Sequence, residues 1–304
     1  MMKISQYAGL LAIVGLLSAC NTVEDNAYSF EEVETNTFEH LHGLGYINGW
    51  SEVVISTHDG LYAYGEDGWK EATSEKHDYM GFQAIRDGFF SSGHPEPGSS
   101  YKNPLGLIKS TDKGASFKQL AFYGEIDFHY MAVGYDSNAI YVFNEMPTNE
   151  MSQGFHYSID EGTTWQQPAM NGFTAESISN LAAHPTRQEV IAIGSEDGVF
   201  LSENYGEDFT LVHDTAMITY VTLTEAGGLY ANFANEEVKI TSFAVDGNEE
   251  RDIPVTTKQP IAYIAVNPDN QQELVIATYN NDIYLTTDEG STWETLADSG
   301  ELAN

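Results

Sequence analysis

The sequence predicts an all-β chain folded as a six-bladed β-propeller, and three observations carry that prediction. Apolar runs opening near His40, Tyr79, Phe128, Ile178, Ile218 and Ile261 recur at spacings of 39, 49, 50, 40 and 43 residues, close to the roughly 40–50 residues of a four-stranded blade. Short stretches between them alternate β-branched or aromatic residues with polar ones, and no long window has a helical period. An eight-residue turn occurs four times, as STDKGASF from Ser110, SIDEGTTW from Ser158, SENYGEDF from Ser202 and TTDEGSTW from Thr286.

The elements follow in chain order. Residues 1–19 read as an export signal: Lys3 supplies the positive end, Ala8 to Leu17 is an apolar stretch too short to remain as a spanning helix, and LSAC ends it at Cys20. That ending resembles the bacterial lipoprotein signal, which implies a lipidated Cys20 as the mature N-terminus. Cys20 is the single cysteine of the chain, so no thiol is left for a disulfide, a thiolate metal ligand or a nucleophile. Residues 20–36 are polar and acidic and read as a tether, with the propeller over 37–304. The expected location is exported and membrane-anchored, at the cell surface or on the periplasmic face.

Each blade then reads as an apolar strand, a polar turn, a second apolar strand, a Gly-, Asp- or Asn-bearing turn, and a third strand such as GLYAY, GLIKS, GFHYS, GVFLS or DIYLT. The octapeptide follows the third strand. Gly114, Gly162, Gly206 and Gly290 supply a positive φ, Asp112, Asp160 and Asp288 accept hydrogen bonds from the turn's own amides, and Phe117, Trp165, Phe209 and Trp293 pack between blades. The pattern resembles the Asp-box, or BNR repeat, of the sialidase and sortilin-type propellers, in which it is a structural element of the rim away from the active face. The third copy departs from it with Asn204, and blades 1 and 5 keep only GEDGWKEA and AVDGNEER.

With 12 Lys+Arg against 46 Asp+Glu, the chain carries a formal charge of −34. Such a field repels phosphate backbones, so nucleic acid is excluded as a partner, and it attracts cations. Starts of first strands and ends of second strands meet at the channel mouth. Read there, the chain gathers His40, His42, His58, Met80, His94 and His129 on blades 1–3, together with His77 and Asp127, whereas the matching positions of blades 4–6 hold no histidine. Imidazoles suit zinc and copper, and the Met80 thioether favours copper. His156, His184 and His213 fall elsewhere and read as structural.

Over its mature length the chain also resembles bacterial BNR-propeller proteins described as glycosyl hydrolases, through HLHGL, THDGL, DYMGF, SGHP, NPLGL and DFH. Sialidase chemistry needs three arginines clamping a carboxylate, and Arg86, Arg187 and Arg251 are the only arginines, two of them in turns at the far end. Another glycosidase would need two carboxylates across a cleft, for which Asp59, Asp78 and Asp127 are the candidates. The expectation is a propeller binding a metal ion or small ligand at this mouth. The alternatives are a hydrolase using the carboxylates of the same face and a platform for a protein partner.

Overall fold

The computed structural model describes residues 28–47, 52–244 and 250–303 of the 304-residue chain. These residues form twenty-five strands, β1 (Phe30–Glu32) to β25 (Glu301–Leu302), and no helix. The strands make six antiparallel sheets of neighbours in sequence: β2 (Leu41–Tyr46) to β5 (Gly68–Ala72), β6 (Gln83–Ile85) to β9 (Lys118–Ala121), β10 (Tyr130–Val133) to β12 (Gly154–Ser158), β13 (Ile178–Ala183) to β16 (Thr210–His213), β17 (Ile218–Leu223) to β20 (Glu250–Ile253), and β21 (Ile261–Asn267) to β25, with β1 added to the outer edge of β5. A Tyr157–Gln166 bridge stands in for the fourth strand of the third sheet. The first strands of successive sheets, β2, β6, β10, β13, β17 and β21, touch in a ring that closes from β21 back to β2. This is the six-bladed propeller.

Strand alternation explains why the ring is stable. Successive side chains leave a strand on opposite faces, so every blade contributes to two cores, one with each neighbour. In β3 (Val53–Thr57), Val53 and Ile55 pack toward blade 6 while Val54 packs toward blade 2. In β14 (Ile191–Ser195), Ile191 and Ile193 face blade 3 and Ala192 faces blade 5. Six apolar clusters result, one at each junction. Each fully buried aliphatic or aromatic side chain contributes about 1.5–3 kcal/mol.

Inner strands β13 (Ile178–Ala183), β17 (Ile218–Leu223) and β21 (Ile261–Asn267) begin at the residues expected. Those of blades 1–3 begin later, at Leu41, Gln83 and Tyr130. The pairing of first and second strands also skips one residue in four blades. Leu41 faces Thr57 and Gly43 faces Ser56, leaving His42 unopposed, and the same bulge isolates Ser179, Thr219 and Ala262. A bulge re-aims the extra side chain, and all four line the channel mouth.

The four octapeptide turns share one hydrogen-bond pattern. The opening hydroxyl of Ser110, Ser158, Ser202 or Thr286 accepts the N–H of Gly114, Gly162, Gly206 or Gly290 at 2.9 Å. Asp112, Asp160 and Asp288 accept the N–H of Ser116, Thr164 and Thr292 at 2.8–2.9 Å. Asn204 does the same through Oδ1 with the Asp208 N–H at 3.0 Å, while its amide donates to the Asp208 carboxylate. The glycines have φ between 82° and 90°, the region that only glycine enters without strain. Trp165 packs on Phe122 and Phe128, and Trp293 donates from Nε1 to the Pro254 carbonyl at 2.9 Å.

One boundary needs correction. Residues 30–32, read as tether, form strand β1, and Thr37 pairs with Glu301 at the outer edge of blade 6. The cause is visible in YSFEEV: Phe30 packs on the blade 1–2 core and Val33 on the blade 6–1 core. The signal segment and Cys20 lie outside the described residues.

Candidate functional site at the channel mouth

Three elements converge at the junction of blades 1 and 2. The bulge in β2 (Leu41–Tyr46) presents His42, the turn after β3 presents His58, and the segment leading to β6 (Gln83–Ile85) presents Asp78. His58 Nδ1 lies 2.9 Å from Asp78 Oδ2, His42 Nε2 lies 3.3 Å from Asp78 Oδ1, and the two ring nitrogens are 3.2 Å apart. Asp78 Oδ1 is buried and makes no hydrogen bond; the approach of His42 is close but lacks the geometry of one. His40, with a positive φ of 44°, sets its ring edge-on to His58 at 5.1 Å between centroids.

His42 is 13% exposed and Asp78 17%. Burial drives the His42 pKa down to about 4; Asp78 opposes the shift, and His58, His40 and His129 reinforce it. Its imidazole is therefore neutral at physiological pH, the form that ligates metals. The three ligand atoms lie within 4.8 Å of one another. One or two protons shared among the three atoms can hold this arrangement, and a cation can take their place; two imidazoles with a carboxylate suit zinc or copper.

The remaining candidates divide. His94 and His129 do not join this triangle; they flank Asp127 at the next junction, with Nε2 atoms 3.2 and 3.5 Å from its Oδ2. Convergence of His42, His58, His94 and His129 on one point is thus not what the fold builds: the first two meet at Asp78 and the last two at Asp127. Met80 is held through its backbone, donating to the Asp78 carbonyl and accepting from Ser92. Asp59 is exposed in the β3–β4 turn, where its N–H donates to Thr57 Oγ1. His77 is 1% exposed and holds Glu75 and the Glu96 N–H, packed by Tyr79, Tyr101 and Phe117. It clamps a loop.

His156 and His213 are buried on outer strands, and His184 is buried with Nδ1 accepting the N–H groups of Thr186 and Arg187. The mouth itself encloses about 270 Å³, with His40, His42 and His129 on one side and Tyr220, Tyr263 and Tyr279 on the other. Burial alone pushes the Tyr220 phenol up to about 12, so it stays protonated. Sequence reasoning missed this tyrosine wall, since its members come from two blades without histidine. At the opposite end of the channel a smaller cavity of about 160 Å³ is bordered by Arg86 and Asp136, which form an ion pair.

Searches of protein-family profiles and of curated proteins give no match. Among solved structures, the chain superposes on a GH74 enzyme of Niastella koreensis with a TM-score of 0.57 and 19% identity, covering 89% of this chain and 47% of that one. It also superposes on a GH74 xyloglucanase from Xanthomonas campestris (TM-score 0.53, 16% identity, 89% and 47% covered) and on TolB from Acinetobacter baumannii (0.56, 10%, 83% and 61%). The chain spans about half the length of the GH74 chains it matches, 47% in both. At these identities the likeness shows the fold alone.

Proposed function

We propose that this chain is an exported, lipid-anchored β-propeller that binds a transition-metal ion, zinc or copper, at the His42–His58–Asp78 triangle. The observation that carries the reading is three ligand atoms within 4.8 Å, one on a carboxylate whose other buried oxygen has no hydrogen bond. The strongly negative field raises the local cation concentration. The triangle spans two blades, so it exists only in the folded chain, and binding there stabilises the fold by linkage. The four repeated turns are read as Asp-boxes that hold the outer strands and take no part in binding.

Metal analysis of untagged protein tests the assignment, with one zinc or copper held by this triangle as the expected outcome. Failure to retain any metal, or retention unaffected by His58→Ala and Asp78→Asn, would sink it. The anchor is tested separately. Cys20→Ser should move the protein from the membrane fraction to the soluble fraction; a mature N-terminus that starts elsewhere without modification refutes lipidation.

A second reading is a glycoside hydrolase acting on extracellular glycan. It is favoured by Asp78 and Asp127 standing on the same rim, each with one buried oxygen lacking a hydrogen bond, and by the shared fold with GH74 enzymes. Hydrolysis of xyloglucan or another β-glucan, lost in both Asp78→Asn and Asp127→Asn, would establish it in place of simple metal binding.

A further inference from the structure

Asp127, leading into blade 3, repeats the place of Asp78, leading into blade 2. His94, just past β7 (Gly88–Ser91), repeats that of His58 past β3. Each His–Asp pair therefore links the end of one blade's second strand to the start of the next blade's first. The second pair carries its own signs of an unmet demand. Asp127 Oδ2 faces His94 Nε2 at 3.2 Å and His129 Nε2 at 3.5 Å, while Asp127 Oδ1 is buried without a hydrogen bond.

His94 Nδ1 lies 2.6 Å from Asn103 Oδ1. The Asn103 amide thus holds the ring at Nδ1, and the other ring nitrogen, Nε2, faces the Asp127 carboxylate. A cation between Nε2 and Oδ2 would be held by both. Fixing one ring nitrogen by a hydrogen bond so that the other is free is how metal-ligating histidines are oriented.

The two groups are tied together. Asp78 and His94 form a β-bridge in which each N–H donates to the other's carbonyl at 3.0 Å. Directly opposed residues of an antiparallel bridge point to the same face with Cβ atoms about 4.5–5.5 Å apart. Gly93, with φ of 113°, permits the approach, since a Cβ there would collide with the Asp78 carbonyl. A ligand of the first triangle and a ligand of the second are thus immediate neighbours.

We infer that the rim holds a second metal ion between His94, Asp127 and His129, beside the one assigned to His42, His58 and Asp78, so that blades 1–3 carry a two-ion centre. The inference rests on the first assignment. The rings of His94 and His129 are 43% and 48% exposed, which leaves them room to turn onto a common ion at the roughly 2.0–2.1 Å of a zinc–imidazole bond.

Zinc titration by calorimetry, with bound metal counted by mass spectrometry on untagged full-length protein, decides the matter. Wild type should hold two ions and Asp127→Asn one. The copper(II)-loaded wild type should show the half-field resonance of a coupled pair, and Asp127→Asn should lose it. His94→Ala gives the same readouts should Asp127→Asn fail to fold. One ion in wild type, or two in both wild type and the variants, overturns the second site and leaves the first standing. No ion at all overturns both.

Discussion

Replacing Trp165 by Ala tests how the blades are held together. The indole ends the second octapeptide turn and reaches across the blade 2–3 junction, 5.6 Å from the Phe122 ring and stacked at 6.2 Å on Phe128. Its Nε1–H donates to the Gly162 carbonyl at 3.0 Å. Each aromatic pair contributes about 0.5–1.5 kcal/mol beyond its buried area, and the hydrogen bond about 1 kcal/mol net. Their sum puts Trp165→Ala at roughly 3 kcal/mol, within the range for large-to-small changes at packed aromatic sites. Trp165→Phe keeps a ring and loses only the hydrogen bond, so it should cost about 1 kcal/mol. Urea unfolding followed by far-UV circular dichroism gives both numbers as midpoint shifts at constant slope. Equal losses for Phe and Ala, or a loss below about 1 kcal/mol for Ala, would show that the ring does not clamp the junction.

Three further outcomes follow from the geometry. Hydrogen bonds from Thr164 and Thr292 hold the carboxyls of Asp160 and Asp288 below the usual range. A depressed folded pKa gives stability that is present above the unfolded value of about 3.9 and is lost as pH falls through the folded one. Asp160→Asn has no proton to take up, so the difference in melting temperature between wild type and this variant should shrink as pH is lowered below about 3.9; a constant difference contradicts the role. Asp160→Asn should also melt above Asp160→Ala, because Asn204 makes the same N–H bond in the third turn. Zinc at about 100 times its Kd should stabilise the fold by about 2.7 kcal/mol, measured as a rise in melting temperature. His184→Ala, at the far end of the channel, should keep the whole of that rise.

The fold was legible because its signals repeat. A β-branched residue opens blades 4–6 at the first position of ISNLAA, ITYVTL and IAYIAVN, and the strands begin there. Blades 1–3 are opened instead by EHLHG, HDYMG and DFHYM, whose polar residues serve the mouth before the strand starts, so reading strand from the first apolar residue placed it too early. The histidines were found because they cluster in one half of the sequence. The partition into two groups was not legible, since it depends on Asp78 and Asp127 as partners, and 46 acidic residues hide any two. Nor did periodicity reveal which way His42 turns, because a bulge breaks the two-residue period at that residue. Phe30 and Val33 show a similar limit: among five acidic residues over residues 24–34 they read as tether, yet each packs on a core cluster.

The bulge at the head of the inner strands separates two kinds of constraint. Leu41, Ile218 and Ile261 just before it are committed to cores, where a change in size propagates through two blades. The unopposed residue after each of them lines the channel mouth. At four equivalent places this one chain has a histidine, a serine, a threonine and an alanine on an unchanged backbone. The same bulge thus accommodates imidazole, hydroxyl and methyl in different blades of one propeller. A chain built this way can acquire a new ligand preference one blade at a time.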